Sequence, residues 1–437
     1  MKAQSRRTFV GRTAAGATAI AASATLATKA GAASVSFGAP ALVRQQDKPI
    51  EITFYHIWGT PPGEEAKATK HPADQVVDAF NASQTAIKVT AQTPGDYAAV
   101  AQKVQAELAA GNPPALAMIP WASINYAAEG LGIVDLEEIG GDDVKTILDN
   151  IRPDVLPLAQ IDGKTKGLPY ALSTPITYYN ADVLKQAGVD PEVMLKDWTS
   201  FADAAQKVKD ALNGNPIIGL TFNKDWPAQG IIQSNGGRVL DDSGQPAMNS
   251  AEAEAAMQMV ADLDKAGLYD RGTSKELRPN WIAGSTAVYI SSSGGVGATK
   301  ADAKFTWSTA PVPAFAGKKR QMSTGGSFIG CFAKSDDQRK GAWEFLKFAN
   351  SEEGTKIWAA TGYLNSTKWD LPVLPGQEAA YTQLQEGLTR ETPWPGARGA
   401  EMQTTWAGYV ERMWANDISV KDGSEEAVSE LKSIMGS

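Results

Sequence analysis

The spacing of apolar positions changes along this chain, and each change marks an element. Ile52, Phe54 and His56 alternate with Glu51, Thr53 and Tyr55, a period of two that predicts a strand over 50–57. A helix is predicted over 73–82 with Val76, Val77 and Phe80 inward, then a second strand over 87–91. Val100, Val104 and Leu108 recur every four residues, predicting a helix over 97–110. Gly111-Asn112-Pro113-Pro114 stops it, and a short buried strand follows over 115–119. Strand, helix, strand, helix, strand is the order of an α/β lobe with a mostly parallel sheet. Ligands on such sheets gather beyond the strand C-termini, where Tyr55, Trp58 and Trp121 fall.

Two prolines stiffen the segment 167–175 (GLPYALSTP), which reads as an extended crossing between lobes and continues over 176–179. Asn180 and Gly188 bracket a helix. Further helices are predicted over 198–212, 251–266, 404–415 and 425–435, and strands over 217–220, 287–290 and 305–310. Trp226-Pro227 falls in the loop after 217–220. Between the turns Gly325-Gly326-Ser327 and Gly362-Tyr363-Leu364 lie an apolar run, 328–332, and a helical segment, 338–360. Glycines before a strand let a backbone come close to a neighbouring group. Tyr363 puts a ring and a hydroxyl on a turn.

The chain is 437 residues long, 43% hydrophobic and 21% charged, the profile of a globular protein large enough for two lobes. Its formal net charge of −8 argues against nucleic acid, which needs a basic footprint. The single cysteine, Cys331, sits in an apolar run and reads as a buried thiol. Residues 1–32 carry basic residues and no acid. Ser5-Arg6-Arg7-Thr8-Phe9-Val10 resembles the twin-arginine export motif, and Ala30-Gly31-Ala32 offers a cleavage site. The expectation is a protein exported folded to the periplasm or exterior. No cysteine near the start marks a lipoprotein. Residues 33–48 read as a lead-in.

Several stretches are similar to the extracellular solute-binding proteins of ABC importers, in the branch that takes up sugars and glycerol-3-phosphate. Leu168-Pro169-Tyr170 through Ser173-Thr174-Pro175, with Tyr178-Tyr179-Asn180 and Lys185-Gln186-Ala187-Gly188, resembles the family's hinge and following helix. Trp198-Thr199-Ser200-Phe201 resembles its helix start, Ala283-Gly284-Ser285-Thr286-Ala287-Val288 its return strand, and Gly362-Tyr363-Leu364 its Gly-Tyr-Leu turn. Gly396-Ala397-Arg398 resembles the tail of the glycerol-3-phosphate binders.

The resemblance implies an α/β, two-lobed periplasmic-binding-protein (type II) clamp with hinge crossings near 172, 288 and 349. One lobe would comprise 48–172 and 288–349, the other 173–287 and 350–437. It implies ligand contacts at Tyr97, Ser173, Ser292 or Ser293, Gly325, Gly326, Tyr363 and Arg398. Trp121 stands where that branch carries a carboxylate for glycerol hydroxyls. An indole cannot accept such bonds but can stack on a sugar face or a quaternary ammonium. Trp226 is a second candidate platform. The implied partners are a small carbohydrate or glycerol-phosphate ligand and the permease, with the protein acting as a monomer.

Each candidate also has a structural reading. Arg398 could grip phosphate with its planar fork or make a surface ion pair. Tyr363, Trp121 and Trp226 could be core. The serines at 291–293 could form an anion-binding turn or a plain loop. His56, His71 and one cysteine make no zinc set, and no phosphate loop or nucleophile elbow is present, so no cofactor and no enzyme is expected. His71 reads as a surface loop residue. A secreted carbohydrate-active enzyme is the rival class, because spacing cannot exclude a carboxylate pair. A surface adhesin is a third.

Overall fold

The computed structural model describes residues 48–59, 70–220, 225–272 and 274–436. The twin-arginine segment 1–32, its cleavage site and the lead-in up to residue 47 lie outside the described residues. The strands, in chain order, are β1 (Ile50–Tyr55), β2 (Ile87–Gln92), β3 (Leu116–Pro120), β4 (Gln160–Ile161), β5 (Lys164–Thr165), β6 (Leu168–Ser173), β7 (Pro175–Asn180), β8 (Ile218–Leu220), β9 (Val288–Ser292), β10 (Trp307–Ala310) and β11 (Gly325–Cys331). Ile52 and Phe54 are buried in β1, as the alternation requires, but Tyr55 is buried too. Its hydroxyl donates to Glu107 on the helix Tyr97–Ala109 at 2.8 Å.

Two mixed sheets result. One has the order β2-β1-β3-β11-β6, the other β10-β7-β9-β8. In the first, β1 is parallel to β2 and β3, while β11 enters antiparallel between β3 and β6. The expected parallel character therefore holds only for the three early strands. Two buried clusters form: Phe54, Leu116, Phe328 and Phe345 belong to the first, which also takes in Ile176, Tyr178 and Tyr289 of the second sheet, and Phe201, Ile290, Trp406 and Trp414 belong to the second. Cys331 is buried in the first, and burial pushes its thiol up to about 11.

Several elements differ from expectation for local reasons. The segment 338–360 is two helices, Asp336–Asn350 and Glu352–Ala359. Ser351 between them is extended, and its hydroxyl accepts from the Gly354 N–H at 3.2 Å, starting the second helix. Trp226-Pro227 is not a loop but the first turn of the helix Asp225–Ser234, where a proline is tolerated. The tail helices start earlier, as Gly399–Trp414 and Val420–Met435, the latter capped by Ser419.

The crossings between sheets also shift. The first is where expected: β6 ends at Ser173 in one sheet and β7 begins at Pro175 in the other. The second is not near 288, because β9 and β10 both lie in the second sheet. The chain returns between Ala310 and Gly325. The third is not near 349, because Trp358, Leu364 and Ala380 still pack in the first core, whereas Trp394 packs in the second. The expected assignments of 288–349 and 350–437 therefore each mix residues of both cores. Apolar periodicity predicts burial, but not in which of two cores a segment is buried.

One side chain joins the three passages. Gln383, on the helix Glu378–Leu384, donates to the Thr174 hydroxyl and the Pro175 carbonyl, both at 2.8 Å. Its carbonyl accepts from the Val312 N–H at 3.0 Å. Beside it the second and third passages pair, with the Thr324 N–H donating to the Thr389 carbonyl at 2.7 Å. Gln383→Leu leaves buried partners unmet, each costing about 1–3 kcal/mol. The expected loss is about 3 kcal/mol in urea unfolding. An unchanged midpoint means these bonds do not hold the junction.

Candidate functional site

The sequence candidates fall around this junction, with one exception. β11 opens on Gly325 and Gly326, and Gly325 pairs with Ser173 at the end of β6. Both glycines are needed for close approach. A Cβ on Gly325 would lie 2.3 Å from the Trp226 ring, and one on Gly326 would lie 1.9 Å from the Ala171 carbonyl. Gly326 also has φ +105°, a conformation side chains avoid. The groups that approach these glycines are thus an indole and the neighbouring strand.

Trp226 comes from the first turn of its helix, and its N–H donates to the Ser323 carbonyl at 3.1 Å. Trp121 lies on the other side of this strand entry, and its N–H donates to the Gly325 carbonyl at 2.9 Å. Trp121 is only 1% exposed and its ring meets Phe328. An open stacking platform at Trp121 is therefore not what the structure shows. The indole is core that fixes the start of β11. Trp226, 8% exposed, is buried as well.

Tyr363 is half-buried and lies on the seam between the two halves. Its ring stacks on Trp358 at 5.3 Å and meets Trp58 edge-on at 5.7 Å. On the far side it abuts Gly294, where a Cβ would lie 2.7 Å from the ring. Gly294 follows the serines that end β9. There Ser292 accepts the Gly294 N–H at 3.1 Å, and its carbonyl takes the Tyr178 hydroxyl at 2.6 Å. Ser293 accepts the Thr174 N–H at 3.3 Å. The serine turn is thus bonded into the first crossing.

Tyr97 begins a helix capped by Asp96, and its hydroxyl bonds to Ser327 on β11 at 3.1 Å. Burial raises its phenol pKa well above the ordinary value, and the Tyr363 phenol and the Glu391 carboxyl raise it further. Tyr97 is therefore close enough to feel both Tyr363 and Glu391.

Arg398 is the exception. Its guanidinium makes two 2.7 Å bonds to Glu401, three residues along the same helix, and donates to the Ile434 carbonyl of the last helix. Its side chain is 42% exposed. The guanidinium expected to grip an anion thus makes an exposed ion pair at a helix start, an arrangement its local spacing favours.

Two acids escaped the sequence reading. Asp225 is fully buried and accepts from Trp394 at 3.1 Å, Gln403 at 2.9 Å and Gln229 at 3.1 Å. Glu391 is 5% exposed, and burial, then the Asp225 carboxyl, raises its pKa well above the ordinary range. No pattern signals either one, because their neighbours come from distant parts of the chain. The flanking Thr389 and Thr392 line a polar cavity of about 320 Å³ with Gln233, Arg238 and Gln321. Among the described residues no group of His, Cys, Asp and Glu could hold a metal ion.

His71 is not a loose surface residue. It caps the helix Pro72–Ser83, accepting the Ala73 N–H at 3.1 Å, and stacks on Trp58 at 5.0 Å. Burial and then the nearby His56 lower its pKa to about 4, with Asp74 opposing.

As pH falls, the unfolded chain takes up the His71 proton first, near the ordinary 6.5. The stability His71 supplies is whole above about 6.5 and is lost as pH falls toward 4. His71→Asn keeps a capping acceptor but does not titrate. Its unfolding free energy should fall less than wild type's between pH 7 and pH 5. Equal slopes mean the ring does not titrate as described.

Comparison with known proteins gives a consistent picture. The family described as bacterial extracellular solute-binding protein matches residues 75–369. The sn-glycerol-3-phosphate-binding periplasmic protein UgpB of Brucella melitensis is 27% identical over 316 residues, 69% of this chain and 72% of that protein. UgpB from Mycobacterium tuberculosis, solved in complex with glycerophosphocholine, superposes with a TM-score of 0.76 at 21% identity, covering 89% of this chain and 98% of that one. An ABC substrate-binding protein from Listeria monocytogenes, in complex with cycloalternan, gives 0.76 at 20% identity, covering 89% and 100%.

Proposed function

The chain belongs to the bacterial extracellular solute-binding protein family, and from that premise we propose that it is the capture subunit of an ABC importer for a small carbohydrate or glycerophosphodiester. The single observation that carries this is the convergence of Tyr97, Tyr363, Trp226 and the serine turn on the passages where the chain changes sheets. A ligand held there touches both halves. Only a ligand that binds the closed form better can shift the population toward closure. The Gln383 junction is the natural hinge, since this third-passage side chain bonds to the other two passages. The closed form then docks on the permease as a monomer, after export by the twin-arginine route.

The ligands of the relatives support two chemistries, a glycerophosphate and an oligosaccharide. If the ligand carries phosphate, Arg390 is the better candidate than Arg398. Every other described arginine engages a carboxylate, a carbonyl or a ring. Arg390 follows Thr389 at the junction, and burial lowers its pKa. The glycosidase reading needs two carboxyls facing the substrate, and Asp225 is already committed to three donors.

A thermal-shift and calorimetric screen of the mature protein against glycerol-3-phosphate, glycerophosphocholine, maltose and cycloalternan tests this. A ligand at about a hundred times its Kd adds about 2.7 kcal/mol and raises the Tm by several degrees. Tyr363→Ala should weaken binding at least about tenfold, since it removes an aromatic contact. Arg398→Ala should leave it unchanged, and Arg390→Ala should weaken phosphate ligands only. No shift with any of them, or turnover of a glycan, overturns the proposal.

A further inference from the structure

We propose that His71 is a positioning residue for the ligand site: its imidazole braces the Trp58 indole against Tyr363, so a ring at a helix cap sets how tightly the ligand is held. The inference rests on the capture reading above, in which Tyr363 touches the ligand, and deepens it. Ring geometry carries the argument. The His71 and Trp58 rings lie 5.0 Å apart and 4° from parallel. Trp58 in turn meets Tyr363 edge-on at 5.7 Å and Trp358 at 5.0 Å. Tyr363 is held between these indoles and the Gly294 turn that follows β9. A Trp58 free to swing leaves Tyr363 without one of its walls.

Both histidines of the chain act on this one tryptophan. His56, fully buried, accepts the Trp58 backbone N–H on Nδ1 at 3.2 Å. Its Nε2 therefore carries the proton and donates to Asp74 at 3.1 Å. Asp74 lies in the first turn of the helix Pro72–Ser83, the helix that His71 caps. His56 thus fixes the backbone of Trp58 and His71 its ring, and one helix start joins the two. Trp358 is fixed from elsewhere: it is buried and stacks on Tyr170 of β6 at 4.4 Å. Trp58 and His71 are only half-buried, so surrounding packing does not hold the indole by itself and the stack supplies the rest. Histidine suits both tasks. Its Nδ1 accepts the Ala73 N–H at 3.1 Å in the plane of the ring, while its face lies on the indole. Asparagine or serine caps without stacking, and phenylalanine stacks without capping.

Titration calorimetry at pH 7 with glycerophosphocholine and with maltose, alongside urea unfolding, separates positioning from stability. His71→Asn and His71→Phe should each lower the urea midpoint, one losing the stack and the other the cap. Only His71→Asn should weaken binding of whichever probe wild type takes. The expected loss is about threefold to tenfold, the scale of couplings between touching side chains. His71→Phe restores the stack and should bind as wild type does. In a Trp58→Ala background, His71→Asn should cost no further affinity, because the ring it braces is gone. His71→Ser, a second cap without a ring, serves if the asparagine variant does not fold by circular dichroism. A purely structural His71 moves the midpoints and leaves affinity alone, or lowers affinity in both variants alike. Either result, or a further loss in the Trp58→Ala background, overturns this inference and leaves the capture reading standing. A wild type that binds neither probe overturns it together with that reading.

Discussion

Three passages of chain between two sheets must stay in register, and the buried amide of Gln383, itself on the third, bonds to the other two. It donates to Thr174 and Pro175 and accepts from Val312, each within 3.0 Å. An amide suits this place, since it donates and accepts from one planar group without carrying a charge. A junction of backbone alone would leave the Val312 N–H and the Pro175 carbonyl to find partners in a region with little water. A single side chain meeting them lets the passages move as one hinge. Most of each half packs in its own core, though Ile176, Tyr178 and Tyr289 of the second sheet pack with the first.

The aromatic groups around the junction divide into support and surface. Trp121 and Trp226 flank the first residues of β11 and bond the carbonyls of Gly325 and Ser323. They hold a glycine-rich strand entry that has little rigidity of its own. Trp358 and Trp58 do the same for Tyr363, stacking on it and meeting its edge. His71 extends that cluster to the start of a helix. Tyr363 and Tyr97 stay half-buried, and their hydroxyls keep polar character at the seam. The site is thus a few polar groups set in a rigid aromatic frame, an arrangement that lowers the ordering cost of binding.

Electrostatics within the described residues follow the same division. Most ion pairs are exposed and contribute little. The buried acids are different. Asp225 is satisfied by Gln229 of its own helix and by Trp394 and Gln403, which tie that helix to the last third of the chain. Glu391 lacks such a set, and its pKa rises with burial. Two acids of similar burial thus differ in how many donors reach each.

The sequence alone determined the element types where periodicity was strong: β1, β2 and β3 and the helices between them form where alternation and fourfold spacing put them. It also determined the extended run through Pro169 and Pro175 on which β6 and β7 form. These are local facts, set by neighbours a few residues away. Tertiary structure decided the rest. That Trp121 is core, that Arg398 is taken by Glu401, and that the later crossings lie beyond 310 and 380 depend on groups brought together from afar. Gln383 meets Thr174 across 209 residues and Trp394 meets Asp225 across 169. A hydrophobic pattern records that a residue is buried, but it does not record the partner. For polar residues in a buried seam, the partner decides the role.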